Sequence, residues 1–408
     1  MKIKKIFIFV LALFIFGGLA ACGQTTTEET TAAPTTEAPT TVEGDTTAAP
    51  TTVQDTTVAP TTAAPTTEAP TTEEPVVYGI PMPATGFYMT NADIIQLPDT
   101  SRILVYTTNI ESGEEENVIA IREGALTVGE GYVYDDEAIV ITGSEDGWDQ
   151  YLGSASIVQG VFVYDSVTYS YLMAYAGTES INDNAFSIGF AVSNDPSGTW
   201  VKVGDAPIVE YDGTIYGETY SGYYAPSLVN LDQESIVRLF FTWGDAYGHF
   251  TYFVDIDASA LDTIDMSGFA MVPNNGNLSS GDDVTMVPNG DFAYCATSGY
   301  FYMVKDYSPT ASQEPKVATR IELAKIMENE LYIAPNPNGW ESIRVYDFED
   351  TPDYAYERLY SGTIVTDEFG HLLSETAIEI VYNVSELEAD NQYYLYSQHL
   401  ETFLFEEE

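Results

Sequence analysis

A strand-start pattern that recurs five times after residue 90 constrains this chain more than any other feature. The first copies read NADIIQLPDTSRILVYTTN (Asn91 to Asn109), SASIVQGVFVYDSVTYSYLMAYAGT (Ser154 to Thr178) and YAPSLVNLDQESIVRLFFTWGD (Tyr224 to Asp245). Two more follow, DDVTMVPNGDFAYCATS (Asp282 to Ser298) and SGTIVTDEFGHLLSETAIEIVYNV (Ser361 to Val384). Each opens on small or acidic residues, passes through a short apolar run and a polar turn, and ends in a second apolar or aromatic strand. The copies start roughly 55 to 80 residues apart, which fits one supersecondary unit per copy. From Val76 to Phe405 the chain is rich in Tyr, Val, Ile, Phe and Gly, so the expected fold class is all-β. Units of this size around an axis predict a five-bladed β-propeller, with the site where the first strands meet. One stretch, Ala318 to Leu331, has helical character: Ile321, Leu323, Ala324 and Met327 would share an apolar face.

The amino terminus indicates where such a unit works. Lys2, Lys4 and Lys5 precede an apolar run from Ile6 to Phe16, the layout of a signal peptide. The run is short for a membrane span. It ends in Leu19-Ala20-Ala21-Cys22, which resembles the lipobox of bacterial lipoproteins. The resemblance implies cleavage before Cys22, lipidation of Cys22 and a place on the extracellular face of the cell membrane. Residues 22–75 then form a linker of Thr, Pro, Ala and Glu without an aromatic residue, expected to be a disordered, extended stalk. The expected division is 1–21 signal peptide, 22–75 lipidated cysteine and stalk, and 76–408 propeller.

Charge excludes some partners. Of 63 acidic and 13 basic residues, nine acids fall in the stalk and three lysines in the leader, leaving 54 against ten in the domain. Such a field repels nucleic acid and anionic polysaccharide. Asp255-Ile256-Asp257 has carboxylates that suit calcium, but such a pair more simply flanks a turn. With Cys22 lipidated, Cys295 has no partner and reads as a small core residue. His249, His371 and His399 fit no zinc spacing. No nucleophile elbow, phosphate-binding loop or dinucleotide fingerprint is present, and no cofactor is expected. The domain is expected to be a monomer.

Several segments resemble the five-bladed glycoside hydrolases, family 43 and its relatives. They are YSYLMAYAGT (Tyr169 to Thr178), SIGFAVSNDPSGTWVKVGDAPIV (Ser187 to Val209), YYAPSLVNLD (Tyr223 to Asp232) and NADIIQLPD (Asn91 to Asp99). The turn Asp195-Pro196-Ser197-Gly198-Thr199-Trp200 carries Thr where that family has a second proline. SNDPSGTW also approaches the Asp-box of sialidases, but a single copy in an arginine-poor domain does not suit a carboxylated sugar. The resemblance implies carboxylates on the first strands of different blades. Glycoside hydrolysis needs two, one protonated and one ionised. The resemblance also allows a calcium ion in the cavity, although no spacing here specifies one.

The candidate catalytic residues are Asp93 in the first unit, Asp149 just before the second, Glu218 before the third, and Asp282 or Asp283 in the fourth. The resemblance puts the family's acidic positions at Asn91 or Asp93 in the first unit and at Ala225 in the third, where Glu218 is the nearest substitute. With Asn91 at the base position, two of the three expected carboxylates are replaced. Trp148 beside Asp149, and Tyr216, Tyr223 and Tyr224, offer flat faces for pyranose rings. The fifth unit offers Arg358 as a substrate contact, and Asp367. Two functions are expected from these residues. The first is a cell-surface hydrolase of neutral polysaccharide or oligosaccharide. The alternative is an inactive propeller that binds glycan or mediates adhesion, marked by a cavity wall of Asn91, Ala225 and aromatics.

Overall fold

The structure is a computed structural model, and the chain divides into two units, Met1–Pro70 and Thr71–Glu408. It describes residues 89–109, 117–128, 131–180, 185–211, 222–245, 248–278, 287–307, 319–332, 339–347, 358–385 and 399–406, all in the second unit. The signal peptide and the stalk therefore lie outside the described residues.

Among the described residues twenty-one strands form five sheets. The first sheet holds β1 (Thr90–Gln96), β2 (Arg102–Asn109), β3 (Asn117–Thr127), β4 (Gly131–Tyr134) and β5 (Ala138–Ile141). The second runs β6 (Tyr151–Tyr164), β7 (Val167–Thr178), β8 (Ser187–Ser193), β9 (Val201–Lys202), and the third β10 (Gly222–Asn230), β11 (Ile236–Asp245), β12 (Gly248–Asp257), β13 (Ala270–Met271). The fourth is β14 (Asp291–Cys295), β15 (Tyr300–Asp306), β16 (Arg320–Met327), β17 (Glu341–Asp347). Then come β18 (Arg358–Ile364), the short β19 (Thr366–Asp367), β20 (Ala377–Ser385) and β21 (His399–Glu406). Of these, β18, β20 and β21 make the last sheet, while β19 pairs in parallel with β1.

Consecutive sheets pack face to face, and five apolar clusters fill the seams. Ile103, Val105 and Met173 lie between the first and second sheets; Leu172, Phe190 and Phe241 between the second and third. Phe240 stacks on Phe292 at 3.9 Å between the third and fourth, and Val304, Leu323 and Ile380 join the fourth to the fifth. Ile94, Leu104 and Val381 then join the fifth back to the first. Burial on both faces explains why β2, β8 and β18 are buried along their whole length and show no alternation. The arrangement is all-β and propeller-like. Among the described residues four sheets are full blades of at least four strands and the last has three, so the expected five blades are met in part, as four full blades and a shorter sheet.

The first strands share a local device. Asn91, Ala225, Asn289 and Ser361 all have positive φ, at 50°, 50°, 47° and 46°. Pairing is also irregular at the same place in β1, β6, β10 and β18. A bulge of this kind re-aims side chains where a strand begins. Two residues later a polar side chain reaches the next sheet. Ile157 N donates to Asp93 Oδ2 (2.7 Å), Leu228 N to Ser156 Oγ (3.0 Å), Phe292 N to Ser227 Oγ (3.0 Å) and Ile364 N to Asp291 Oδ2 (2.7 Å). Asn383 Nδ2 donates to Met89 O at 2.9 Å, linking the last sheet to the first.

At the other end of the first strands lies the segment 366–372. It pairs with Gln96 of β1, and its carbonyls at Glu368, Phe369 and Gly370 accept from Gln159, Asn230 and Tyr294 of β6, β10 and β14. Each of these four residues stands five positions after Asn91, Ser154, Ala225 or Asn289, about 16 Å along a strand.

One sequence expectation changes here. Ala318 to Leu331 is not helical where described: Arg320–Met327 is a strand, followed by a short 3-10 turn at Glu328–Glu330. Burial of β16 on both faces produced apolar spacings that mimic a helical face. Asp255 pairs with Arg238 at 2.6 Å, and Asp257 caps the 3-10 segment Ala258–Thr263, so both carboxylates are engaged by protein groups. Cys295 is buried.

Candidate functional site

The bulged strand starts enclose a small axial cavity of about 30 Å³, room for roughly one water. One sheet after another contributes its first-position residue to the wall: Asn91, Ser154, Ala225, Asn289 and Ser361. Asp93, Ser156 and Asp291 line it one step further along their strands. None of the five first positions is a carboxylate.

Asp93 and Asp291 are held by their neighbours. Asp291 Oδ1 accepts from Ser227 Oγ at 2.8 Å, and its Oδ2 from Thr363 Oγ1 at 2.9 Å and Ile364 N at 2.7 Å. Asp93 is 7% exposed and is bonded to Ile157 N. Burial, and then repulsion from Asp291, pushes the Asp93 carboxyl up to about 7. Burial likewise raises Asp291. A calcium ion takes about six to eight oxygens. Among the described residues no group of three or more metal-ligating side chains gathers, and the Asp291 oxygens already receive protein donors, so the wall does not fit such an ion.

A polar network backs the first positions. Asp306 Oδ2 accepts from Asn289 Nδ2 at 2.5 Å, and its Oδ1 from Ser361 N at 2.6 Å. Ser361 Oγ donates to Asn91 Oδ1 at 2.8 Å, and Ala225 N donates to Ser154 Oγ at 2.9 Å.

The sequence-derived candidates separate. Asp93 reaches the cavity. Asp149 does not line it; Lys202 Nζ lies 2.6 Å from its Oδ2, and Tyr175 donates its hydroxyl at 3.0 Å. Although burial opposes it, those bonds hold the Asp149 carboxyl below the usual range. Trp148 stacks on Tyr175 at 5.6 Å within the second sheet and lies over Gly177 and Gly189, where a Cβ would meet the indole at 3.0 and 2.6 Å. Tyr223 and Tyr224 directly precede Ala225 on β10 and are half-buried. Tyr223 packs edge-on against Tyr211 and Phe241, and Tyr224 against His249. Arg358 is buried, 4.2 Å from the Tyr360 ring, beside Asp306. Asp367 accepts from Phe369 N and His371 N inside the 366–372 segment. Glu218, Asp282, Asp283, Tyr216 and Cys22 lie outside the described residues.

Sequence reasoning missed Asp291 and Asp306. The sequence pattern starts the fourth unit at Asp282-Asp283, whereas the cavity takes Asn289-Gly290-Asp291. The signal was available: that triplet repeats Asn91-Ala92-Asp93. Asp306 sits at the end of a second strand and carries no such mark.

The chain matches no protein-family model and no curated protein sequence. Among solved structures it is similar to an alpha-L-arabinofuranosidase from Lactobacillus brevis, with TM-score 0.50 and 11% identity over 77% of this chain and 90% of that one. It is also similar to a GH43_1 enzyme from Xanthomonas citri (0.49, 13%, 79% and 90%). A family 117 glycoside hydrolase of Zobellia galactanivorans, Zg3597, scores 0.49 at 10% identity over 80% and 88%. At such identities the likeness is one of fold. The chain's propeller-like fold is similar to that of the arabinofuranosidase.

Proposed function

We propose that this chain is a glycan-binding propeller that does not hydrolyse its ligand. One observation carries the reading: the five first-position residues around the axis are Asn91, Ser154, Ala225, Asn289 and Ser361, amides, hydroxyls and a methyl. Hydrolysis of a glycosidic bond needs an acid and a base about 5 to 9.5 Å apart across the bond. Among the described residues the carboxylates that line the cavity, Asp93 and Asp291, instead receive backbone N–H groups of the next sheet. Tyr223 and Tyr224 beside Ala225 add aromatic surface of the kind that suits sugar faces. The formal charge of −50 favours a neutral glycan over an anionic one.

Five seams joining five sheets in cyclic order support a closed five-bladed ring, with the three-stranded sheet as its fifth blade. In this reading lipidated Cys22 anchors a monomer to the extracellular face of the membrane. Residues 22–75 then act as the stalk that carries the ring.

One observation favours hydrolysis instead. Asp93 and Asp291 share the cavity wall, and both carboxyls are raised, the condition a general acid requires. Sugar release from neutral polysaccharides and aryl glycosides, measured beside sedimentation with the same insoluble polysaccharides, separates the two. The expected result is binding of the full chain without release. Release that Asp93→Asn or Glu218→Gln abolishes establishes the hydrolase.

A further inference from the structure

Asp306 closes β15 and is 4% exposed, and its two oxygens serve two different sheets. It accepts from Asn289 Nδ2 on the fourth sheet and from Ser361 N on the fifth. Ser361 passes the order on, donating to Asn91 Oδ1 on the first sheet. Asn289, Ser361 and Asn91 are therefore linked in series, and all three line the axial cavity.

An amide side chain has a donor end and an acceptor end. These bonds decide which end is engaged at each position. Asn289 gives its Nδ2 to Asp306, which leaves Oδ1 as an acceptor. Asn91 receives Ser361 on its Oδ1, which leaves Nδ2 as a donor. A sugar hydroxyl both donates and accepts, and two neighbouring hydroxyls offer one of each in turn. A carboxylate only accepts.

We infer that Asp306 is a positioning residue that holds the cavity mouth as a donor–acceptor pair, Asn91 Nδ2 and Asn289 Oδ1, for the vicinal diol of a neutral sugar. The inference rests on the glycan-binding reading and names the chemistry that site selects. Asp306 itself touches no ligand. A uronate is disfavoured where its carboxylate would face Asp93 and Asp291 on the same wall. Burial raises the Asp306 carboxyl to about 6, with Asn289, Ser361, Arg358 and Lys305 opposing the rise. At neutral pH it is therefore ionised and accepts both bonds.

The test uses the full chain, with arabinan and arabinoxylan oligosaccharides as probes and Asp306→Asn as the variant. Affinity is measured by calorimetry, folding by thermal melting, and the Asn289 side-chain amide by NMR of the ¹⁵N-asparagine-labelled chain. Asp306→Asn places an NH₂ against one of two donors and breaks one of the bonds. The expected result is a shifted Asn289 amide signal and an affinity lower by about tenfold, with melting lowered by a few degrees but the chain still folded at the assay temperature. An unmoved Asn289 signal, or an affinity equal to wild type, overturns the inference alone. A loss of affinity that only follows a loss of folding overturns it too. A wild-type chain that binds none of the probes overturns the glycan-binding reading, and this inference with it.

Discussion

Two buried carboxylates, Asp93 and Asp149, do opposite work, and their protonation makes that measurable. The Asp93 carboxyl rises from 3.8 to about 7 through burial and the nearness of Asp291, so the folded chain binds that proton more tightly than the unfolded chain. The stabilisation is fully present below about 4 and is lost as pH climbs through 7. Wild-type melting temperature is therefore expected to fall between pH 5 and pH 8. Asp93→Asn should remove much of that fall, on the order of a few kcal/mol at its upper end, while the smaller step from Asp306 near 6 remains. A slope identical in wild type and variant would contradict this account of Asp93. Asp149 is held below its ordinary range by Lys202, Ser144 and Tyr175, so its contribution is present above about 4 and disappears as pH falls further. Lys202 is partly exposed, so weakening its charged hydrogen bond to Asp149 costs about 2 kcal/mol. Asp149→Asn should thus lower the melting temperature by several degrees yet leave glycan affinity untouched. An affinity loss without a stability loss would instead place Asp149 in the binding site.

The element that deserves a perturbation is the segment 366–372, because its backbone joins four first strands at once. Gly370 has φ +79°, and a Cβ there would stand 2.7 Å from Leu228 O. Gly370→Ala is expected to destabilise the fold by about 2 kcal/mol. It should also speed hydrogen exchange at Gln159, Asn230 and Tyr294 as a group, since all three donate to this segment. Exchange that changes at Tyr294 alone would mean the segment is not one cooperative unit. None of this was legible in the sequence, where Thr366 to Leu372 reads as a polar turn between two strands. The strands were legible because β-branched and aromatic runs end at Gly, Asn, Asp and Pro. β16 misled for a physical reason: burial on both faces erased the alternation that marks a strand.

Across the whole molecule, the propeller-like order was readable from the five recurring strand starts, since each repeat is one sheet with apolar faces that its neighbours must cover. The site was only partly readable. Alternation alone would put every second residue of a strand on the same side, but bulges and positive φ at Asn91, Ala225 and Ser361 reset that alternation. That reset is why Asp93 turns to Ile157 N in the neighbouring sheet while Asn91 lines the cavity at the strand start. Asn91 and Ala225 both line the cavity, and so do Asp93 and Asp291. The central claim is that this wall binds neutral glycan without cleaving it. Isothermal calorimetry of the full chain with arabinan and arabinoxylan oligosaccharides tests it most directly, because binding gives heat that saturates and turnover gives heat that persists. The account predicts saturating heat that Asn91→Ala abolishes, with the baseline recovered after each injection. Persistent heat that Asp93→Asn removes, or no binding heat with any of these sugars, would contradict it.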